Sequence, residues 1–225
     1  MKTKKDFLTM LCLLTIASCG KDSGGSRAIT ENNPGIESEG MEGNYKAILR
    51  PYNNTLSGWV PNGITEIRIA DGEIEIKSWL DDAANVVHMQ NIHLGNECPT
   101  INADKNNDGF IDFNESITIS KKILIPLDAN LNSQDEGAGM YPKGNFNYFQ
   151  KASIESLSRD LHSVDQNPAD QVVKLTSNAN LALVGKVIIV TGTAISRPLP
   201  ESVSRINTLA PQASIPIACG VLKKI

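Results

Sequence analysis

Two runs of alternating apolar and polar residues, joined by a tight turn, constrain the fold of this chain more than any other feature. In residues 64–76, isoleucines alternate with polar residues on both sides of Asp71-Gly72. Successive side chains of a strand point to opposite faces, so a period of two predicts two half-buried strands. Glycine supplies the positive φ angle that a two-residue turn needs. The segment is therefore predicted to be an antiparallel hairpin.

The rest of the chain also favours an all-β fold. Its 225 residues are 40% hydrophobic but only 5% aromatic, and branched aliphatic residues favour strands over a helical bundle. Further strands are predicted at Tyr45–Leu49, Val86–His93, Ile123–Leu127, Val187–Val190 and Ile215–Leu222. One short helix is expected at Ser153–Leu161, with Ser153 as its N-cap, and residues 128–145 are expected to be looped. Several short strands over about 180 residues predict a Greek-key-like β-sandwich spanning residues 43–225.

The N-terminus is predicted to be a bacterial lipoprotein signal peptide, residues 1–18. A basic start is followed by eleven mostly apolar residues at Phe7–Ala17, a run too short to cross about 30 Å of hydrocarbon. Ile16-Ala17-Ser18-Cys19 resembles a lipobox. The resemblance implies that Cys19 becomes a lipidated N-terminus whose fatty acyl chains, such as palmitate, hold the protein on a membrane. A plain secretory signal is the alternative.

The segment after the signal peptide is predicted to be a flexible tether, residues 19–42. It is polar, with Ser23–Ser26 and Asn32–Gly35 rich in turn-forming residues. Gly20 follows Cys19. By a sorting rule associated with bacterial lipoproteins, those with Asp at that position stay in the inner membrane. The expected location is therefore the outer membrane of a cell envelope, on its periplasmic or surface face.

Charge and cysteine usage agree with export. The formal charge of the chain is −4, and removal of residues 1–18 takes away three Lys and one Asp, which leaves −6. No long basic run is present, so nucleic-acid binding is disfavoured. Once Cys12 is cleaved off and Cys19 lipidated, Cys98 and Cys219 remain. An oxidising compartment favours one disulfide between them, with two free thiols as the alternative.

The clearest chemical motif lies in residues 104–115, which fit the twelve-residue EF-hand calcium loop at every defining position. Oxygen side chains alternate along the loop, and Gly109 permits the sharp turn. A hard, all-oxygen donor set with four carboxylates suits Ca²⁺ better than a transition metal. The alternative is an acidic, Asn-rich surface loop. The predicted ligands are Asp104, Asn106, Asp108, the backbone carbonyl of Phe110, Asp112 and a bidentate Glu115.

The residues around this loop differ from those of a paired EF-hand. Cys98-Pro99-Thr100 cannot easily continue a helix into the loop, and the β-branched residues of Ile117–Ile119 are poor helix formers. The expectation is therefore a calcium loop inserted between strands. A single hand predicts weak, non-cooperative binding, with a dissociation constant of about 10⁻⁴ to 10⁻³ M and a mainly stabilising role.

A second set of motifs runs from His88 to Cys98 and continues at Gly185–Val190 and Ala218–Val221. It resembles the copper/zinc superoxide dismutases and the chordin-type repeat (CHRD-like) domains. In the dismutase family the terminal cysteine bridges to the one after the histidines, so the resemblance implies a bond between Cys98 and Cys219.

The histidine count weighs against dismutase activity. The family uses six histidines and an aspartate for copper and zinc, whereas this chain has only His88, His93 and His162. Thr191 stands where the family places a copper ligand. Redox copper needs several imidazoles held in a fixed geometry. The two strand histidines are therefore expected to be structural or surface residues.

These observations favour a non-enzymatic, calcium-binding, lipid-anchored envelope protein that acts as a binding or adhesion module. Its expected partners are the membrane, through the N-terminal lipid, and an envelope protein or polysaccharide. The alternative function is a superoxide dismutase-like copper/zinc metalloenzyme of the periplasm.

Overall fold

The structure is a computed structural model that describes residues 41–129, 131, 141–157, 182–205 and 210–225. The predicted signal peptide, the lipidated Cys19, the tether up to residue 40 and His162 lie outside these residues. Within the described ranges, no helix is both long enough and apolar enough to cross a membrane.

The described residues are mostly β-strands, which confirms the all-β prediction. The strands are β1 (Gly43–Pro51), β2 (Asn62–Ala70), β3 (Glu73–Asp81), β4 (Gln90–His93), β5 (Ile123–Pro126), β6 (Phe146–Ser153), β7 (Val187–Thr191), β8 (Pro216–Val221) and β9 (Lys223–Lys224). The helical segments are α1 (Asn54–Ser57), α2 (Phe113–Ser120), two 3₁₀ turns at Ile101–Ala103 and Pro211–Ser214, and one turn at 154–157.

The strands form one antiparallel sheet that curls around a large apolar core. Their order is β5-β4-β7-β8-β1-β2-β3-β6, with β9 also paired to β1. Strand β1 joins two halves, since Gly43–Leu49 pairs with β2 while Arg50 and Pro51 pair with β8. Ile92 and Leu124 from one end of the sheet lie in the same buried cluster as Ile74 and Tyr148 from the other. Both ends therefore cover the same core.

The predicted hairpin is confirmed. Asp71 and Gly72 have φ angles of 54° and 72°, which is the geometry of a turn with two left-handed residues. The turn aligns Ile67 with Ile76 and Ile69 with Ile74. All four isoleucines are at most 1% exposed, so the alternating pattern faces the core as expected.

One predicted strand begins later than expected. The pattern predicted a strand from Val86, but β4 starts at Gln90. The backbone N–H of Val86 donates to the carbonyl of Ala84 at 2.8 Å, and a ring nitrogen of His88 lies 2.8 Å from the same carbonyl. These local bonds turn the chain before the strand begins.

The predicted N-cap at Ser153 is confirmed, because its hydroxyl accepts a hydrogen bond from the Ser156 N–H at 3.0 Å. Residues 154–157 are helical, and the rest of the predicted helix lies outside the described residues. Strand β6, just before this turn, was not predicted. It pairs with β3 along its whole length.

The disulfide between Cys98 and Cys219 is present, with the two Cα atoms 5.9 Å apart and a sequence separation of 121. Cys219 lies in β8, and Cys98 lies in the segment that leads from β4 to the candidate calcium loop. The bond is packed against Val187 and Ile189 of β7. It therefore ties the start of that segment to the sheet.

Candidate metal centre

The candidate calcium loop, residues 104–115, lies between β4 and β5 and leads directly into a helix. A short 3₁₀ turn at Ile101–Ala103 precedes the loop, and α2 begins at Phe113. The expectation that no helix follows was wrong. The loop is therefore flanked by a 3₁₀ turn on one side and by a two-turn α-helix on the other.

Local capping explains why α2 forms from a sequence with poor helix propensity. Glu115 N–H donates to Asp112 Oδ1 at 3.0 Å, and Asp112 N–H donates to Glu115 Oε2 at 3.2 Å, which is a capping box. Phe113 is buried against Met89 and Ile123. The cap and this burial outweigh the unfavourable propensity of the β-branched residues.

The first half of the loop is wound around its own side-chain oxygens. Asp104 accepts hydrogen bonds from the backbone N–H groups of Asp108 at 3.2 Å and Gly109 at 3.0 Å. Asn106 accepts a second bond from Asp108 N–H at 2.9 Å, and Asp108 accepts one from Phe110 N–H at 2.8 Å. Gly109 has a φ angle of 89°, which permits this tight winding. These bonds turn three of the predicted ligands toward the interior of the loop.

Glu115 closes the loop by reaching back to its beginning. Its Oε1 accepts hydrogen bonds from the backbone N–H groups of Lys105 at 2.7 Å and Asn106 at 3.4 Å. Its other carboxylate oxygen belongs to the capping box. The last predicted ligand is therefore held close to the first.

Among the described residues, no lysine, arginine or histidine side chain forms an ion pair with the four loop carboxylates. The ion pairs among the described residues are Lys46–Glu66, Lys77–Glu75 and Lys151–Glu73, all within the sheet. Lys105 Nζ donates to the carbonyl of Asn102 instead. Asp112 is only 3% exposed, and a buried carboxylate normally has a paired charge or several hydrogen bonds. Negative charge is thus concentrated in the loop.

The negative charge of the loop affects a neighbouring tyrosine, Tyr52. Burial, and to a smaller extent the Glu115 carboxylate, raise the pKa of Tyr52 above its usual range. The Tyr52 hydroxyl is buried and has no hydrogen-bond partner among the described residues. Tyr52 therefore places a buried hydroxyl near the closing end of the loop.

The loop carboxylates are nevertheless not arranged around a common point at which an ion could bind. Across the described ranges, no three His, Cys, Asp or Glu side chains are grouped so that they could hold a metal ion. The loop oxygens are bonded to backbone N–H groups instead. The donor set is suited to a hard cation, and an incoming ion must compete with these bonds.

Residues far from the loop in sequence anchor it, and sequence reasoning missed them. The Asn53 side chain donates to the carbonyl of Ile111 at 2.8 Å and accepts from its N–H at 3.0 Å. Ser202 and Ser204 contact Asp108 and Asp112. No periodicity or motif marks these residues, because the contacts join segments that the fold brings together.

The two described histidines lie in separate surroundings. Both ring nitrogens of His88 are within 3.1 Å of backbone carbonyl oxygens, those of Thr191 and Ala84. His93 Nδ1 lies 2.9 Å from the Lys121 carbonyl, and its Nε2 is buried without a partner among the described residues. His88 packs near Phe146, whereas His93 packs near Phe113 of α2. The structure does not bring them together into one site.

Comparison with protein-family models and with curated proteins finds no match to this chain. The loop geometry and the residues that surround the loop are therefore the features that bear on function.

Proposed function

We propose that this protein is a calcium-binding, lipid-anchored protein of a bacterial cell envelope that acts as a non-enzymatic binding or adhesion module. The predicted ligands are Asp104, Asn106, Asp108, the Phe110 carbonyl, Asp112 and Glu115. In this proposal the ion supplies positive charge to a loop that is rich in carboxylates. Its main effect is to stabilise the folded loop, because a ligand that binds only the folded state shifts the folding equilibrium.

The winding of the loop carries the proposal. Asp104 accepts bonds from backbone N–H groups four and five residues ahead, while Glu115 accepts a bond from the residue after Asp104. First and last ligands thus lie at the same end of a closed loop. The loop carries predicted oxygen donors at six positions, and Ca²⁺ takes six to eight oxygen ligands. In this proposal the donors leave their backbone N–H partners and close around the ion.

The same hydrogen bonds predict weak affinity. Glu115 Oε1 is bonded to Lys105 N–H at 2.7 Å, and both carboxylate oxygens contribute to bonds that stabilise the loop. A cation gains only the difference between its own interactions and those that it displaces. The expected dissociation constant is therefore about 10⁻⁴ to 10⁻³ M, as for extracellular calcium-binding modules.

The finer description of the fold and location belongs to the same proposal. We describe the domain as a Greek-key-like β-sandwich with an EF-hand-like loop, and the two sheet halves that meet in β1 support this description. The lipobox-like sequence ending at Cys19 supports the membrane anchor. An envelope protein or polysaccharide remains the proposed partner.

Calorimetric titration of the purified full-length chain in detergent, after removal of metal with a chelator, tests the calcium site. We expect one Ca²⁺ site per chain, and at least a tenfold weaker affinity for Glu115→Gln, which removes a charged ligand. Glu97→Gln makes the same substitution outside the loop and should bind like the wild type. Unchanged affinity in Glu115→Gln would refute the ligand assignment, and absence of binding at millimolar Ca²⁺ would refute the proposed function.

The disulfide is the observation that favours the second candidate, a dismutase-like copper/zinc enzyme. It joins the two cysteines that the resemblance implies. The ring nitrogens of His88 already face backbone carbonyls, which favours the calcium protein over the enzyme. Metal analysis separates the candidates, since stoichiometric copper together with superoxide consumption would support the enzyme.

A further inference from the structure

We infer that Ser202 and Ser204 are positioning residues of the calcium site, although they lie outside the twelve-residue loop. This inference rests on the proposed function. The two serines belong to the segment 195–205, which packs against Phe110 of the loop from a distant part of the chain. The hydroxyl of Ser202 and the backbone N–H of Ser204 each donate to one of the predicted ligands.

The two bonds complete the surroundings of Asp108 and Asp112. Ser202 Oγ donates to Asp108 Oδ2 at 2.6 Å, while the other oxygen of Asp108 accepts from Phe110 N–H. Ser204 N–H donates to Asp112 Oδ2 at 2.7 Å, while the other oxygen of Asp112 accepts from Glu115 N–H. Each carboxylate is therefore fixed at both oxygens. Because an ionised carboxylate has about four acceptor positions, each one can still bind a cation.

Contacts that do not involve the loop carboxylates hold the segment in place. Val203 is 4% exposed and packs with Phe110 and Ile215. The guanidinium of Arg197 lies 5.6 Å from the centre of the Phe110 ring. Ser214 Oγ donates to the Ser204 carbonyl at 2.6 Å. The segment is therefore held by packing and by the Ser214 bond as well as by the two bonds to the loop carboxylates.

A fixed donor that orients a ligand lowers the cost of bringing that ligand to the metal. Ion binding and docking of the segment are then coupled, and the coupling is reciprocal. A docked segment strengthens Ca²⁺ binding, and bound Ca²⁺ strengthens docking. Coupling differs from simple packing in one respect: a substitution in the segment changes the affinity of the loop for Ca²⁺.

Calorimetric titration with Ca²⁺ tests the inference in the full-length chain. Ser202→Ala removes the hydroxyl from an exposed side chain, so the fold should be retained, and we expect the dissociation constant to rise about three- to tenfold. Ser202→Thr keeps a hydroxyl and should restore most of the affinity. Ser196→Ala, an exposed serine of the same segment, is the matched control and should bind like the wild type.

Hydrogen exchange at the Ser204 N–H tests the reciprocal effect. We expect Ca²⁺ to slow this exchange in the wild type but not in Glu115→Gln. If the wild type binds Ca²⁺ while Ser202→Ala keeps full affinity and Ser204 exchange does not change, the inference is overturned and the calcium site stands. If the wild type binds no Ca²⁺, both are overturned.

Discussion

At the scale of single residues, the buried imidazole of His93 links stability to pH. Its side chain is fully buried, and Nδ1 contacts the carbonyl of Lys121. Burial disfavours the charged ring and lowers the pKa of His93 to about 4, while the contact with the carbonyl partly opposes that shift. The neutral form is therefore the one that the folded protein holds.

We predict that this histidine destabilises the fold in mild acid. His93 binds a proton below about pH 6.5 in the unfolded chain but only near pH 4 in the folded chain. The stability that the neutral ring contributes is therefore complete above about pH 6.5 and is lost as the pH falls toward 4. Between pH 7 and 5 the loss should be about 2 kcal/mol.

Urea unfolding of the wild type and of His93→Asn at both pH values measures this loss. The variant can still donate to the Lys121 carbonyl but does not titrate. It should be less stable at pH 7 and should lose less stability than the wild type on acidification. Equal losses in the two proteins would contradict the assignment to His93.

At the scale of secondary-structure elements, the sequence predicts a structure well where local chemistry decides it. The hairpin follows from the alternation of isoleucines and from Asp71-Gly72, because strand period and turn geometry both act over a few residues. Helix propensity alone does not predict α2, because the β-branched residues are poor helix formers. The motif spacing marks Asp112 and Glu115 as metal ligands, and the same two side chains also form the capping box that begins the helix.

The end of α2 lies so close to the chain after β4 that only glycine fits there. A Cβ atom at Gly95 would lie 2.5 Å from the backbone carbonyl carbon and oxygen of Ser120, and Gly95 N–H donates to that oxygen at 2.6 Å. We predict that Gly95→Ala destabilises the protein by about 3 kcal/mol, because backbone atoms cannot move aside as a flexible side chain can.

Gly72→Ala is the comparison for this prediction. Gly72 has a φ angle of 72°, and a Cβ there meets no atom within 4 Å. Its cost should come from backbone conformation alone, about 1–2 kcal/mol. Denaturant unfolding of both variants measures the difference. If Gly95→Ala costs no more than Gly72→Ala, then the close approach of α2 is not a packing constraint.

At the scale of the whole molecule, the sequence predicts the loop residues of the candidate site but not the distant residues that contact the loop. The twelve loop residues were identified because their spacing is local. Asn53, Ser202 and Ser204 were not, because they belong to parts of the chain that are distant from the loop in sequence and contact it only in the folded structure. Asn53 shows this most clearly, because one side chain bonds both to Ile111 of the loop and to Pro216 at the start of β8.

The disulfide acts on the same scale, since its two cysteines have a sequence separation of 121 and the chain between them contains all six predicted ligands together with Ser202 and Ser204. We predict that the double variant Cys98→Ala/Cys219→Ala loses about 4–5 kcal/mol of unfolding free energy, because the unfolded chain regains the entropy that the bond removes. Reduced wild type should lose a similar amount, so a much larger loss in the variant would indicate a packing defect instead.

Calcium should restore part of that loss through the loop alone. At a Ca²⁺ concentration about a hundredfold above the dissociation constant, binding to the folded state adds about 2.7 kcal/mol. Thermal unfolding of the double cysteine variant should therefore shift upward with added Ca²⁺. The same variant carrying Glu115→Gln should shift little, because the closing ligand is gone. If both proteins gained the same stability, then Ca²⁺ would be acting elsewhere on the protein and the loop would not be the site of stabilisation.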